Sequence, residues 1–130
     1  MPTRNSAEDA RPLVLIIDDD FAVRDSLAAV MEAFGFRTCT AGNGSEGLDA
    51  VKVEVPSAII TDLHMPEMNG LELMAALRST ESGIPVIAIS GSAAKDVEVA
   101  RRMGAAATFQ KPLPVFEMID TVSTLTARAA

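Results

Sequence analysis

An α/β domain built on one doubly wound, five-stranded parallel sheet is the architecture that this 130-residue sequence predicts. Two observations carry the expectation. Five short runs rich in aliphatic and β-branched residues recur along the chain, and apolar residues at helical spacing follow each one. The runs start at residues 13, 36, 58, 86 and 107, which leaves room for a helix after every strand.

The first strand is expected over Leu13–Ile17, a continuous apolar run that suits a strand covered on both faces. Val23, Leu27, Val30, Met31 and Phe34 then mark a helix, with Asp20 as its N-cap and Gly35 as its stop. A second strand over Phe36–Thr40 leads to a helix entered at Asn43 or Ser45, marked by Leu48, Val51 and Val55 and halted by Pro56. Ala58–Thr61 is the third strand, and Leu71, Met74 and Leu77 mark the helix after it. Val86–Ile89 is the fourth, followed by Val97, Ala100 and Met103 and a stop at Gly104. Ala107–Gln110 is the fifth; Val115, Ile119 and Val122 form the last helical face, with Pro114 near its first turn. Right-handed crossovers favour the open strand order 2-1-3-4-5, the flavodoxin-like arrangement with helices on both faces. Residues 12–127 form this domain, residues 1–11 are read as a mobile tail and residues 128–130 as a frayed end.

Composition narrows the function. One cysteine, Cys39, leaves no internal disulfide and no cysteine zinc site, and packing is its expected role. One histidine, His64, excludes His-cluster metal chemistry. A net charge of −7 repels a phosphate backbone, and the absence of Trp and Tyr removes the usual stacking platforms, so no direct nucleic-acid contact is expected. The longest aliphatic run, Leu13–Ile17, is far below the ~20 residues of a membrane span. The polar start of the chain lacks a signal-peptide core, so a cytoplasmic location is expected.

Ligands of open α/β sheets bind at the carboxyl ends of the strands. There the first strand runs into Asp18-Asp19-Asp20, the third into Asp62, the fourth into Ser90 and the fifth into Lys111. Asp20 is accounted for as a helix cap. The remaining carboxylates are not, since two of them ~5 Å apart repel by roughly 3 kcal/mol at an effective dielectric of 20. A cation would relieve this, and an all-oxygen site with room for water suits Mg²⁺. An acidic pocket with a divalent ion, a hydroxyl and an amine points to phosphoryl transfer. The acceptor is then a carboxylate, and Asp62 is the candidate, because Asp18 and Asp19 can hold the metal from the neighbouring strand.

These residues also carry a family resemblance. Val14-Leu15-Ile16-Ile17-Asp18-Asp19-Asp20, Asp62-Leu63-His64-Met65-Pro66-Glu67-Met68-Asn69-Gly70, Pro85-Val86-Ile87-Ala88-Ile89-Ser90-Gly91 and Lys111-Pro112 resemble, in order and spacing, the receiver domain of two-component response regulators. The resemblance implies that Asp62 accepts phosphate from a histidine kinase or phosphotransfer protein and that a downstream protein reads the result. It implies Mg²⁺ held directly by Asp19, through water by Asp18, and by Asp62 and the backbone carbonyl of His64. Ser90 and Lys111 would hold the phosphoryl oxygens, Gly91 would leave space for the donor histidine, and the Lys111–Pro112 peptide would be cis. The side chain of His64 is expected to border the site, where the family tunes phosphoryl lifetime. Such a domain processes its own phosphoryl group and no separate substrate. One position departs from the family: Thr108 stands where the switch aromatic is usual, and Phe109 faces the other way.

Two alternatives compete. Gly42-Asn43-Gly44-Ser45-Glu46-Gly47 is a literal GxGxxG between a strand and a helix, as in a dinucleotide-binding fold. Asp18-Asp19-Asp20 contains the DxD of haloacid-dehalogenase-like phosphatases, with Asp18 as nucleophile. The first leaves Asp18, Asp19, Ser90 and Lys111 unexplained, and the second generally needs a longer chain. Met65 and Met68, around Pro66, are expected to be partly exposed.

Overall fold

The aliphatic runs become five parallel strands: β1 (Leu13–Ile17), β2 (Arg37–Ala41), β3 (Ala58–Asp62), β4 (Val86–Ser90) and β5 (Ala107–Gln110). The computed structural model describes residues 10–65, 68–79, 83–91 and 94–129. The sheet order is β2-β1-β3-β4-β5, as the crossover argument requires. Every residue of β1, β3 and β4 is buried, while β2 and β5, at the edges, are largely half-exposed. Hydrophobicity of the runs therefore tracks position in the sheet.

Five helices cover the two faces: α1 (Phe21–Ala33), α2 (Gly44–Val53), α3 (Gly70–Ser79), α4 (Ala94–Arg102) and α5 (Val115–Ala129). Alternate residues of β1 feed opposite cores. Leu15 and Ile17 pack with Leu73, Met74, Leu77 and Ala100 on the α2–α4 side. Val14 and Ile16 pack with Leu27, Met31, Met118, Ile119 and Val122 beneath α1 and α5.

Several boundaries differ from the expectation. Strand β2 starts at Arg37, because Phe36 is spent on ending α1: its N–H donates to the Met31 carbonyl at 3.1 Å while its ring is buried. Gly35 makes the turn at φ 95°. Phe34 caps the helix and stays 52 % exposed, its ring edge-on to Phe116 rather than in the core. Helix α2 stops at Val53, and Val55 lies outside it, exposed, because the residue before Pro56 is driven out of helical conformation. Strands β3 and β4 each run one residue further, so Asp62 and Ser90 are themselves strand residues. Met65 is buried in the α3-side core, where partial exposure was expected, while Met68 packs against that core and is half-buried, as expected. Helix α5 continues to Ala129, past the start of the end read as frayed. Residues 1–9 of the expected tail, Pro66, Glu67 and Ala130 lie outside the described residues.

Candidate functional site

Parallel strands bring all their carboxyl ends to one edge, and the crossover between β1 and β3 opens the crevice there. Asp18 follows β1 directly and is 2 % exposed; its Oδ1 accepts from the Asp20 N–H at 2.9 Å. Asp20 in turn accepts from the N–H groups of Ala22 and Val23, the expected N-cap of α1. One turn into α1, Arg24 Nη1 donates to the Asp18 carbonyl at 2.8 Å and its guanidinium lies 5.2 Å from the centroid of the Phe21 ring. This bracing fixes the acidic turn with Asp18 inward and Asp19 outward.

Asp62 closes β3, is 6 % exposed and has both oxygens engaged. Oδ1 accepts from the His64 N–H at 3.0 Å, and Lys111 Nζ stands 3.2 Å from Oδ2. The same ammonium is 3.8 Å from Asp18 Oδ2. One carboxylate oxygen from each of Asp18, Asp19 and Asp62 lies within 4.8 Å of the others. Ser90 is fully buried at the end of β4, its carbonyl accepting from Lys111 N–H at 2.9 Å. The Lys111–Pro112 peptide is cis. Gly91 is exposed, and among the described residues a Cβ there would meet only Lys111 Cδ, at 3.8 Å.

The electrostatics follow from this crowding. Burial pushes the Asp18 carboxyl above its ordinary range; the charges of Asp62 and Asp19 add to that, against the Asp20 hydrogen bond and Lys111. For Lys111 burial pulls the other way, and the charge and hydrogen bond of Asp62, with Asp18 behind, win and raise it. Asp18 Oδ2 is buried and, among the described residues, has no hydrogen-bond partner, only the more distant Lys111 ammonium. An orphaned carboxylate oxygen beside two more carboxylates is a donor set suited to a divalent cation, which would satisfy all three.

The two competing motifs have structural explanations. In the glycine-rich segment, the N–H of Gly44 donates to the Met68 carbonyl at 2.9 Å, that of Glu46 to Asn43 Oδ1 at 2.9 Å, and that of Gly42 to Glu46 Oε1 at 2.9 Å. The donors that would cradle a pyrophosphate are thus occupied, partly by a carboxylate that would repel it. The glycines serve close approach: a Cβ on Gly44 would lie 2.7 Å from the Met68 carbonyl oxygen, and one on Gly47 2.5 Å from Ile17 Cδ1. In the DxD, Asp20 is committed to capping α1 rather than standing free as a second acid.

Three features had no signature in the sequence. Arg24 acts on a main-chain carbonyl. Met68 meets Gly44 from a different loop. The His64 imidazole, on the residue after next from Asp62, bonds Asp96 Oδ2 on α4 through Nε2 at 2.8 Å, across 32 residues of chain. Thr108, half-buried on β5, accepts a 3.4 Å bond from Arg101 of α4, while Phe109 packs in the α1–α5 core. Cys39 packs against the opposite core from edge strand β2.

Comparison with known proteins agrees with this geometry. The family described as response regulator receiver domain matches residues 14–123. The chain is 34 % identical over 118 residues to the transcriptional regulatory protein PrrA of Mycobacterium tuberculosis, covering 90 % of this chain and 51 % of that protein. It is 31 % identical over 110 residues to sporulation initiation phosphotransferase F of Bacillus subtilis, covering 84 % of this chain and 89 % of that one. Among solved structures, the receiver domain of the Francisella response regulator 1452 superposes with a TM-score of 0.87 at 27 % identity, covering 92 % of this chain and all of that one. The chain belongs to the receiver-domain family of response regulators. Within it, the chain spans about half the length of PrrA and most of the length of the sporulation phosphotransferase.

Proposed function

We propose that Asp62 is the phosphoacceptor, taking a phosphoryl group from a phosphohistidine of a histidine kinase or phosphotransfer protein and thereby switching contacts with a downstream protein. The observation that supports this most is the setting of Asp62: a buried carboxylate at a strand end, with an ammonium on one oxygen and a backbone N–H on the other. These two donors orient the nucleophile. An Asp62 oxygen bonds to phosphorus as the donor's P–N bond breaks, and the imidazole leaves with that electron pair. Lys111, released from Asp62 Oδ2, would hold a phosphoryl oxygen, and the hydroxyl of Ser90, at the end of β4, would hold another.

Asp18, Asp19, Asp62 and the backbone carbonyl of His64 would hold Mg²⁺. When bound, the ion neutralises the carboxylates and the charge that spreads over the phosphoryl oxygens. The chain processes its own phosphoryl group and acts on no separate substrate. At a net charge of −7 its contacts are with proteins rather than with DNA, although some relatives carry names such as DNA-binding response regulator MtrA. We place it in the cytoplasm; no helix among the described residues is long and apolar enough to cross a membrane.

Labelling with acetyl phosphate tests the reading. Wild-type protein should take up phosphate in the presence of Mg²⁺, and Asp62→Asn should not. Label that survives in Asp62→Asn and is lost in Asp18→Asn would transfer the role to the phosphatase alternative. Transfer from a panel of histidine kinases then identifies the donor.

A further inference from the structure

Arg24 sits in the opening turn of α1, where a cation opposes the helix dipole and adds nothing to the helix itself. Its guanidinium is spent on three neighbours. Nη1 donates to the Asp18 carbonyl at 2.8 Å. The guanidinium lies over the Phe21 ring, 5.2 Å from its centroid, and Phe21 is 67 % exposed. A Cβ on Gly42 would come within 3.6 Å of Nη1, so the group is also seated against the start of the loop after β2. The carbonyl it grips belongs to the Asp18–Asp19 peptide, and holding it fixes the plane of that peptide. Asp18 has further ties, its N–H donating to the Ala41 carbonyl at 3.2 Å and its Oδ1 accepting from the Asp20 N–H. The Asp19 carboxylate is exposed and, among the described residues, accepts no hydrogen bond, yet one of its oxygens lies within 4.8 Å of Asp18 and Asp62. Its direction is set by the main chain of the turn.

We propose that Arg24 is a positioning residue for the divalent cation: by holding the Asp18 carbonyl it keeps the Asp19 carboxylate turned toward Asp18 and Asp62, and the Phe21 ring holds Arg24 in place. This rests on the reading of Asp18, Asp19 and Asp62 as the carboxylates that take Mg²⁺. Charge alone predicts the opposite effect. A guanidinium beside an acidic pocket repels a cation, so its removal would tighten Mg²⁺ binding if only charge mattered. Positioning predicts weaker binding, because a turn that has lost its brace must be ordered again when the ion arrives. The sign of the change therefore separates the two. Lysine keeps the charge and a donor of similar reach, but not the planar group that bonds the carbonyl while stacking on a ring.

The test is calorimetric titration of Mg²⁺ into the parent, Arg24→Ala, Arg24→Lys, Phe21→Ala and the double alanine variant. Arg24→Ala should weaken binding about ten-fold, the lower end of what an outer-shell partner of a metal ligand contributes. Arg24→Lys should lose less. Phe21→Ala should weaken binding about two- to five-fold, the range of a cation–π contact at an exposed site. The double variant should bind like Arg24→Ala alone, because Phe21 acts only through the guanidinium. In acetyl phosphate labelling, the Mg²⁺ concentration for half-maximal rate should rise by the same factor in Arg24→Ala, with the rate at saturating Mg²⁺ at the parent's level. A merely structural role would lower the urea midpoint in EDTA and leave the Mg²⁺ affinity alone. Unchanged or tighter Mg²⁺ binding in Arg24→Ala, or a loss in Arg24→Lys as large as in Arg24→Ala, would overturn the inference while leaving the three carboxylates as the metal's ligands. Failure of the unsubstituted protein to bind Mg²⁺ would overturn the metal reading, and the inference with it.

Discussion

Lys111 Nζ lies 3.2 Å from Asp62 Oδ2, so the ammonium at the end of β5 rests on the proposed phosphoacceptor itself. That contact joins the ends of β3 and β5, 49 residues apart in the chain, and raises the affinity of Lys111 for its proton. A base whose folded pKa is raised stabilises the fold fully below its unfolded value and loses that contribution as pH climbs through the folded value. Lys111→Ala should therefore lower the melting temperature at neutral pH. The gap from the parent should hold up to about pH 10.5 and close above it. The variant should still label at Asp62 but show a blunted change in partner binding; a normal change would remove Lys111 from the switch.

The buried, orphaned Asp18 Oδ2 predicts how metal and stability are linked. Burial raises the Asp18 pKa, so an ionised Asp18 destabilises the fold; the penalty grows as pH rises from 3.8 through the folded value and is complete above it. In EDTA near neutral pH, Asp18→Asn should melt higher than the parent, by about 3–6 °C for each kcal/mol of relief. Millimolar Mg²⁺ should raise the melting temperature of the parent by mass action. It should do so far less for Asp18→Asn and Asp19→Asn. Equal Mg²⁺ responses in parent and Asp19→Asn would take Asp19 out of the ligand set.

Thr108 bears on how the signal leaves the site. A threonine has too little bulk to fill the space that a moving Ser90 would vacate, so the expected route runs through the loop after β4 and through α4. On adding beryllofluoride, a phosphoryl mimic, backbone amide shifts should nearly vanish in Ser90→Ala and persist, modestly altered, in Thr108→Ala and Thr108→Tyr. Large shifts surviving in Ser90→Ala, or lost in Thr108→Ala, point to another route.

The two glycines of the false dinucleotide motif should differ in cost. A Cβ on Gly44 meets the Met68 carbonyl oxygen at 2.7 Å, a backbone atom, whereas one on Gly47 meets the tip of Ile17 at 2.5 Å, which can turn away. Alanine also gains about 1 kcal/mol of helix propensity over glycine, offsetting part of either strain. Gly44→Ala should cost about 1–3 kcal/mol in urea titrations and Gly47→Ala distinctly less. The reverse order would mean that the loop holding Met68 yields more easily than the Ile17 side chain.

Strand order, helices on both faces and the placement of Asp18, Asp19, Asp62, Ser90 and Lys111 at one edge of the sheet were readable from the chain because each rests on local or handed rules. Burial of a run follows from its own hydrophobicity, and right-handed crossovers send every parallel strand's carboxyl end to the same edge. Asp20 as N-cap was equally local, and of the two candidate entries to α2, Asn43 and Ser45, the structure uses Asn43; each cap's side chain bonds an N–H within three residues. Three-dimensional packing alone settled the rest. Phe36 was diverted from β2 to close α1, Arg24 reached back to a carbonyl, Met68 consumed the Gly44 N–H, and His64 found Asp96 on another element. Arg24 and His64 act through single rotamers and the other two through main-chain bonds, and a pair 32 residues apart leaves no periodic trace in the chain. Their energies also compete with nearby alternatives of similar size, so they are chosen only when the sheet has already brought the elements together.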